Sequence, residues 1–260
     1  MIQQINGSLS YFNIRLIKKN IVCEYKSPTH EYLDVGTSKK NYCYSLYFDD
    51  KGDGGSKTNK YTRDIKILEN ELSINPNLQR ETFYLAQSYH CLGLYNKAIE
   101  IYEKRINLKG WKEEIFISWY RIGNIYYEEL EYNKRDYDKA IRAYLKALST
   151  NNERLEPVYK LVKLTRESGD YTLAYCFSKM AKNKNIKNDF LFVEKNIYDY
   201  KFDCEYFLVG EFDYEKLLNN YDEKTEFNSR THILIKCNVC NKMSIFETKH
   251  NIDVFRNDYN

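Results

Sequence analysis

The sequence predicts a mainly α-helical solenoid preceded by a small N-terminal β segment. A Tyr-x-x-Ala motif recurs at repeat-like spacing in the middle of the chain, beginning at Tyr95, Tyr137 and Tyr171. Each motif is flanked by segments whose apolar residues recur every three or four positions, which is the spacing of one helix face. Residues 11–50 instead cluster β-branched and aromatic residues, a composition typical of strands.

Composition and charge narrow the function classes. The chain has 260 residues, of which 43% are hydrophobic and 30% charged, so it is expected to fold as one long domain or two small ones. Its 40 basic and 37 acidic side chains are interspersed, and they offer no continuous field for a nucleic acid. Seven scattered cysteines suggest reduced thiols and a cytoplasmic location. No secretion signal is visible, and no apolar run approaches the roughly 20 residues of a membrane span.

Residues 1–56 form the predicted β segment. Strands are expected in YFNIRLI (11–17), NIVCEYK (20–26) and YCYSLYF (42–48), which the polar stretches KKN, SPT and DDKGDGG bound. Residues 61–76 then form one amphipathic helix, with Ile65, Leu68 and Leu72 on the face that covers the start of the helical stack.

Residues 57–222 are predicted to form helical hairpins. In each hairpin the alanine of the motif (Ala98, Ala140 or Ala174) allows the second helix to approach the first closely, and the tyrosine packs across the turn. Gly93 and Gly169 precede two of the tyrosines by two residues and permit a sharp turn. The buried faces of the first helices are predicted to contain Phe83, Leu85, Ala86 and Tyr89; Ile115, Trp119, Ile122, Gly123 and Tyr126; and Val158, Leu161, Val162 and Thr165.

A fourth, degenerate hairpin is expected to end the stack. Phe-Leu-Phe-Val (190–193) is predicted to begin a long helix that continues through Tyr198 and Phe202. Glu215 occupies the position of the close-contact alanine, so this unit should be looser or act as a cap. Residues 223–260 form a tail to which no structure is assigned.

Taken together, these positions resemble the tetratricopeptide repeat, a 34-residue pair of antiparallel helices. The resemblance implies a groove that is lined by the first helix of each pair and that binds a protein or peptide partner. Aligning the repeats places an aromatic row and a polar row in this groove, although a solvated face with no ligand is an alternative. The aromatic row is Phe83, Tyr120 and Tyr159, and the polar row is Gln87, Asn124 and Lys163.

Residues 11–218 also resemble the C-terminal end of a family-2 glycosyltransferase domain joined to tetratricopeptide repeats. The resemblance lies in THEYL (29–33), DGGSK (53–57), FYLAQSY (83–89), GWKEEIFISWYRIG (110–123) and LFVEKNIYDYK (191–201). It implies sugar transfer from a nucleotide donor, with His30 as a ligand of a catalytic Mn²⁺ or Mg²⁺. The nucleotide-binding half would precede this region, where only about thirty residues stand, so a complete catalytic domain is not expected.

Two further groups of residues are candidate sites. Asp53, Lys57, Lys60 and Arg63 combine a flexible loop with three cations before a helix and suggest an anion cradle. The alternative is a turn whose charges cap the helix and pair with Asp64 and Glu69. Cys237 and Cys240, with His232 and His250 nearby, have the residue types of a zinc site, although ordinary reduced cysteines are the default interpretation.

The sequence therefore predicts a non-catalytic interaction module related to glycosyltransferases. The alternative is a component of a metal-dependent nucleotide-sugar glycosyltransferase. No cofactor is expected under the first hypothesis, and Mn²⁺ or Mg²⁺ is expected only under the second.

Overall fold

The structure is a computed structural model that describes residues 1–6, 9–49, 59–181, 185–187, 190–209, 232–236 and 243–247. Within these ranges the predicted mainly α architecture with a small N-terminal β segment is confirmed. The predicted boundaries at residues 56 and 222 lie outside the described ranges.

Two small sheets form the N-terminal β segment. The first has the order β2-β1-β5, in which β1 (Ile2–Asn6) pairs antiparallel with β2 (Leu9–Asn13) and parallel with β5 (Cys43–Asp49). The second pairs β3 (Glu24–Lys26) with β4 (Tyr32–Asp34) in antiparallel register. The prediction for 11–17 extended too far, because β2 ends at Asn13, whose side chain accepts a hydrogen bond from the next backbone N–H. The prediction for 20–26 was also too long, since β3 covers only Glu24–Lys26. Sequence reasoning missed β1, whose polar composition (IQQIN) hides the strand alternation.

The chain then forms a series of helices. These are α1 (Lys60–Ile74), α2 (Gln79–Cys91), α3 (Tyr95–Asn107), α4 (Lys112–Asn124), α5 (Tyr137–Thr150), α6 (Glu156–Glu167), α7 (Tyr171–Ser178) and α8 (Phe202–Val209). Three hairpins result: α2 packs on α3, α4 on α5, and α6 on α7, with α1 against α2 and α8 against both α6 and α7. A π-helical turn, Ile125–Glu129, extends α4, and a second, Ile197–Lys201, leads into α8.

The close-contact alanines are where the motif predicts them. Ala98, Ala140 and Ala174 are fully buried, and Gly93 and Gly169 adopt φ of +70° and +83° at the turns, a conformation that glycine tolerates best. The expectation for the motif tyrosines holds only in part. Tyr95 and Tyr137 contact the rings of His90 and Tyr127 at the end of the preceding helix, whereas Tyr171 is 59% exposed.

The predicted buried faces of α1, α2 and α6 are confirmed, since every residue assigned to them is buried. The prediction for α4 is confirmed at Ile122 and Gly123 but wrong at Ile115, Trp119 and Tyr126, which are only half-buried. The reason is that α4 packs against both α3 and α5, so the buried residues lie on more than one side of the helix. Gly123 serves a close approach here, because a Cβ at this position would lie 2.5 Å from Cε1 of Tyr144.

Residues 190–193 do not begin a helix, contrary to the prediction. Phe192 has a φ of +48°, in the left-handed region that a helix excludes. Regular structure resumes only after Glu194, and the π-helical turn starts at Ile197. Phe190 and Val193 are nevertheless buried, so this segment packs as an irregular chain. Glu215 lies outside the described residues.

Near the C-terminus, β6 (His232–Lys236) pairs antiparallel with β7 (Met243–Glu247). These strands match the apolar pieces HILIK and MSIFE of the unassigned tail. Cys237, Cys240 and His250, the predicted zinc candidates beside His232, lie outside the described residues. Within the described part of the chain, no helix has both the length and the apolar character that a membrane span requires.

Replacing Ala140 with Arg should disrupt the central hairpin. Overpacking costs about 1–3 kcal/mol, and burying an unpaired charge adds several more, so the free energy of unfolding should fall by more than about 3 kcal/mol. Leu145→Arg, at a partly exposed position of the same helix, is the matched control and should change stability by less than about 0.5 kcal/mol. Equal denaturant midpoints for the two variants would show that the close-contact assignment is wrong.

Candidate functional site

The first helices of the three hairpins, α2, α4 and α6, carry the predicted groove residues. We call the surface that these helices form, together with Arg154 of the adjoining α5–α6 loop, the first-helix face. Its aromatic row is not open to solvent, since Phe83, Tyr120 and Tyr159 are 0%, 2% and 8% exposed. What covers the row is part of the same chain. Residues 190–198, which we call the crossing segment, lie against it before the chain enters α8.

Each aromatic residue of the row is associated with this segment. The ring of Phe192 stacks on that of Phe83, with 6.3 Å between centroids and 15° between planes. The hydroxyl of Tyr120 donates a hydrogen bond of 2.8 Å to Oε1 of Glu194. Tyr159 belongs to the same buried hydrophobic cluster as Ile197.

The polar row is not continuous. Asn124 is buried, and its Oδ1 accepts a hydrogen bond of 2.9 Å from the hydroxyl of Tyr144, so it ties α4 to α5. Gln87 is half-buried. Lys163 is 28% exposed in its side chain, and its Nζ lies 3.2 Å from Oε1 of Glu128. The equivalence assumed from the repeat alignment therefore fails at Asn124, whose amide is used within the core.

A buried arginine anchors the crossing segment. Arg154 lies in the loop between α5 and α6 and is fully buried. Its Nη2 and Nε donate to the two carboxylate oxygens of Glu156, at 2.6 and 3.1 Å. Its Nη1 donates to Oε2 of Glu113 at 2.6 Å and to the carbonyl oxygen of Leu191 at 2.9 Å. Burial opposes the charge, but the two carboxylates prevail and raise the pKa of Arg154 above its usual value.

Glu113 and Arg154 bind the crossing segment through the backbone of Leu191, and Arg154 also packs on the ring of Phe190. The N–H of Leu191 donates to Oε2 of Glu113 at 2.9 Å, so both backbone polar groups of this residue are bound by side chains. The guanidinium carbon of Arg154 lies 4.8 Å from the ring centroid of Phe190 and 4.4 Å from that of Phe116, which is a cation–π arrangement.

Tyr198 completes the attachment at the other end of the segment. Its hydroxyl donates to Oε2 of Glu156 at 2.7 Å and accepts the N–H of Leu155 at 3.0 Å. Burial and the charge of Glu156 raise the pKa of Tyr198, so the phenol stays neutral and remains a donor.

Two adjacent carboxylates at the start of α4 each bind an arginine from a different neighbour. Glu113 binds Arg154 of the α5–α6 loop. Glu114 binds Arg105 of α3, with 2.8 Å between Oε2 of Glu114 and Nε of Arg105. Burial raises the pKa of Glu114, although the charge of Arg105 opposes this shift. Sequence reasoning missed both arginines, because periodicity identifies apolar faces and gives no signal for a buried ion pair. The sequence does place Arg154 two residues before α6, whose start at Glu156 is marked by Pro157.

His30 packs against α2. Its ring stacks on Tyr84 of α2 with 4.0 Å between centroids, and its backbone oxygen accepts from Nη2 of Arg80 at 2.9 Å. Its Nε2 lies 3.9 Å from Oδ2 of Asp64. Burial first, and the positive charges of Lys60 and Arg80, lower the pKa of His30 to about 4 against the opposing charge of Asp64.

The metal role predicted for His30 stays a prediction. Across the described residues there is no group of three His, Cys, Asp or Glu side chains that could bind a metal ion. The position of His30 instead fixes the β3–β4 hairpin on α2.

The predicted anion cradle is described only in part. Asp53 and Lys57 lie outside the described residues, whereas Lys60 and Arg63 are exposed at the start of α1. Nη2 of Arg63 lies 3.4 Å from Oδ1 of Asp64, an ion pair that the alternative interpretation predicted. The expected partnership with Glu69 is absent among the described ion pairs, and Glu69 instead accepts a hydrogen bond from the Tyr89 hydroxyl.

Comparison with known proteins identifies one repeat directly. Residues 85–115, from the middle of α2 to the first turn of α4, match the tetratricopeptide-repeat family. The hairpins described above form an α-solenoid of this type. No curated protein matches the chain.

Two crystal structures of MamA are similar to part of the chain. Each has 23% sequence identity and a TM-score of 0.38 over 46% of this chain, and the matches cover 62% and 66% of the MamA chains. The chain thus spans less than two thirds of the length of these proteins.

Replacing Arg154 with Met should destabilise the protein by about 3–5 kcal/mol, because Glu113 and Glu156 would be left buried without their charge partner. The denaturant midpoint of unfolding measures this loss. Arg142→Met, at an exposed position of α5, removes the same charge without affecting a buried carboxylate and should be nearly neutral. Similar midpoints for the two variants would exclude the proposed role of the network.

The imidazole of His30 should titrate near pH 4. The folded pKa lies below the ordinary value of 6.5, so the unfolded chain binds a proton at His30 before the folded chain does. This contribution to stability is complete above about pH 6.5 and is lost as the pH falls towards 4. An NMR titration of the ring Cε1–H, assigned by its absence in His30→Gln, measures the midpoint. A midpoint of 6.5 or above would contradict the buried, stacked position.

Proposed function

We propose that this chain is a non-catalytic protein-interaction module whose first-helix face binds an extended segment of a protein partner. The observation that carries the proposal is that this face already binds a peptide segment, the chain's own, through both backbone groups of Leu191. Backbone groups are common to all peptides, so such a site accepts an extended chain, and aromatic neighbours select its side chains. Helical repeat arrays use extended faces of this kind for binding.

Partly exposed charges lie beside the covered row and are available to a partner. Glu128 is bound by the nearly buried Lys160, and Glu167 accepts a hydrogen bond from the Tyr127 hydroxyl. Lys163, whose side chain is 28% exposed, also pairs with both carboxylates, whose side chains are 31% and 44% exposed. A pair on a partly exposed surface contributes little to stability, so a partner can exchange these pairs at low cost.

The proposal places the module in the cytoplasm. Among the described cysteines, Cys23, Cys43, Cys91, Cys176 and Cys204 are not in disulfides, which fits a reducing compartment. The relation to family-2 glycosyltransferases also belongs to the proposal and rests on the sequence resemblance alone.

Site-specific photo-cross-linking tests the proposal. A benzophenone amino acid at position 163, on the first-helix face, should cross-link to one discrete protein in an extract of cells that express the chain. The same group at position 104, exposed on α3, is the matched control and should give no such product. Equal yields at the two positions, or none at either, would refute binding through this face.

Calorimetric titration distinguishes the alternative function, a metal-dependent sugar-transfer component. Uridine and guanosine diphosphate sugars, each with and without Mn²⁺, should produce no heat of binding. The reason is that His30 packs on Tyr84, and within the described residues it belongs to no group of side chains that could bind a metal ion. Metal-dependent heat that His30→Gln abolishes would overturn the non-catalytic proposal.

A further inference from the structure

Residues 190–194 are bound to the first-helix face in the manner of a ligand. No helix or strand includes them. The N–H and the carbonyl of Leu191 are satisfied by Glu113 and Arg154, which lie 78 and 37 residues away in sequence. The attachment is therefore made by side chains of the face and does not depend on a backbone ladder.

Three side chains of the segment meet complementary groups. Phe190 lies against the guanidinium of Arg154, Phe192 stacks on Phe83, and the carboxylate of Glu194 accepts a hydrogen bond from Tyr120. The face thus presents a cation, an aromatic ring and a phenol donor, in positions that match an aromatic, an aromatic and an acidic residue of an extended peptide.

The segment adopts a conformation that a separate peptide need not share. Phe192 has a φ of +48°, which L-residues with a bulky side chain rarely adopt. The chain also has to turn from the face into the π-helical turn at Ile197. A separate peptide has no connection to Ile197 and does not have to make this turn.

We propose that residues 190–194 are an intramolecular ligand, and that the partner displaces them with a segment of the same chemistry: aromatic, aliphatic, aromatic, aliphatic, acidic. The inference rests on the proposed function and deepens it by naming the partner's chemistry and its regulation. In the absence of the partner, the crossing segment shields an apolar face that would otherwise be exposed.

Binding of a synthetic peptide to the full chain tests this. The probe is a fluorescein-labelled peptide of residues 190–201, FLFVEKNIYDYK. Phe192 is half-buried, and Phe192→Ser should weaken the attachment of the internal segment. The variant chain should therefore bind the probe with an affinity at least tenfold higher than that of the unchanged chain. Lys195→Ser, an exposed change in the same segment, is the matched control and should leave the affinity unchanged. A probe with both phenylalanines replaced by serine should not bind.

Equal affinities of the folded Phe192→Ser variant and the unchanged chain for the probe would overturn the proposal. Hydrogen exchange of the unchanged chain gives an answer even if that variant does not fold. The amide of Leu191 should be protected at least tenfold less than that of Leu161 in α6, because the segment opens without global unfolding. Equal protection of the two amides would show that the crossing segment is a permanent part of the core, and it would exclude displacement. In that case, cross-linking from position 163 would still support the interaction module, so the two proposals fail separately.

Discussion

The buried guanidinium of Arg154 is the interaction on which the rest of the helical domain depends. It joins the α5–α6 loop to the first turn of α4 through Glu113, and both to the crossing segment through Leu191. Bringing three charged groups out of water is expensive, and this cost is offset only because each is hydrogen-bonded as well as paired. Glu156 binds two guanidinium nitrogens, and the rings of Phe116 and Phe190 both pack against the group. Any change that removes one partner leaves the others buried and unsatisfied.

This network adds to the burial of α4, which is buried on more sides than its amphipathic sequence predicts. Its neighbours are α3 and α5, and the crossing segment binds it through Glu113 and Tyr120. The close approach of α5 depends on Gly123, where a methyl group would meet the ring of Tyr144. The hydroxyl of that ring then binds Asn124. Apolar packing, close backbone approach and ion pairing thus act on one helix together.

Local patterns predicted the features that depend on local physics. Helix periodicity, the buried alanines at 98, 140 and 174 and the glycine turns at 93 and 169 follow from neighbouring residues, and the structure confirms them. The crossing segment could not be predicted in this way, because PheLeuPheVal has the composition of a buried helix face and its left-handed Phe192 depends on contacts distant in sequence. Arg154 and Arg105 were missed because apolar periodicity gives no signal for a buried ion pair, even where a carboxylate partner such as Glu156 is only two residues away. The prediction of a groove-facing polar row was wrong at Asn124, because the side chain of this residue is hydrogen-bonded inside the core.

For function, the displacement proposal means that a partner binds the covered aromatic row only after the crossing segment has left it. The contact between the rings of Phe83 and Phe192 tests this account most directly, since the two residues are 109 positions apart and belong to no common element. A nuclear Overhauser experiment on the free chain with labelled phenylalanine should show a cross-peak between the two rings, which Phe192→Ser removes. The account predicts this cross-peak in the absence of any partner. Its absence in a folded sample would mean that the face is open and that the crossing segment does not cover it.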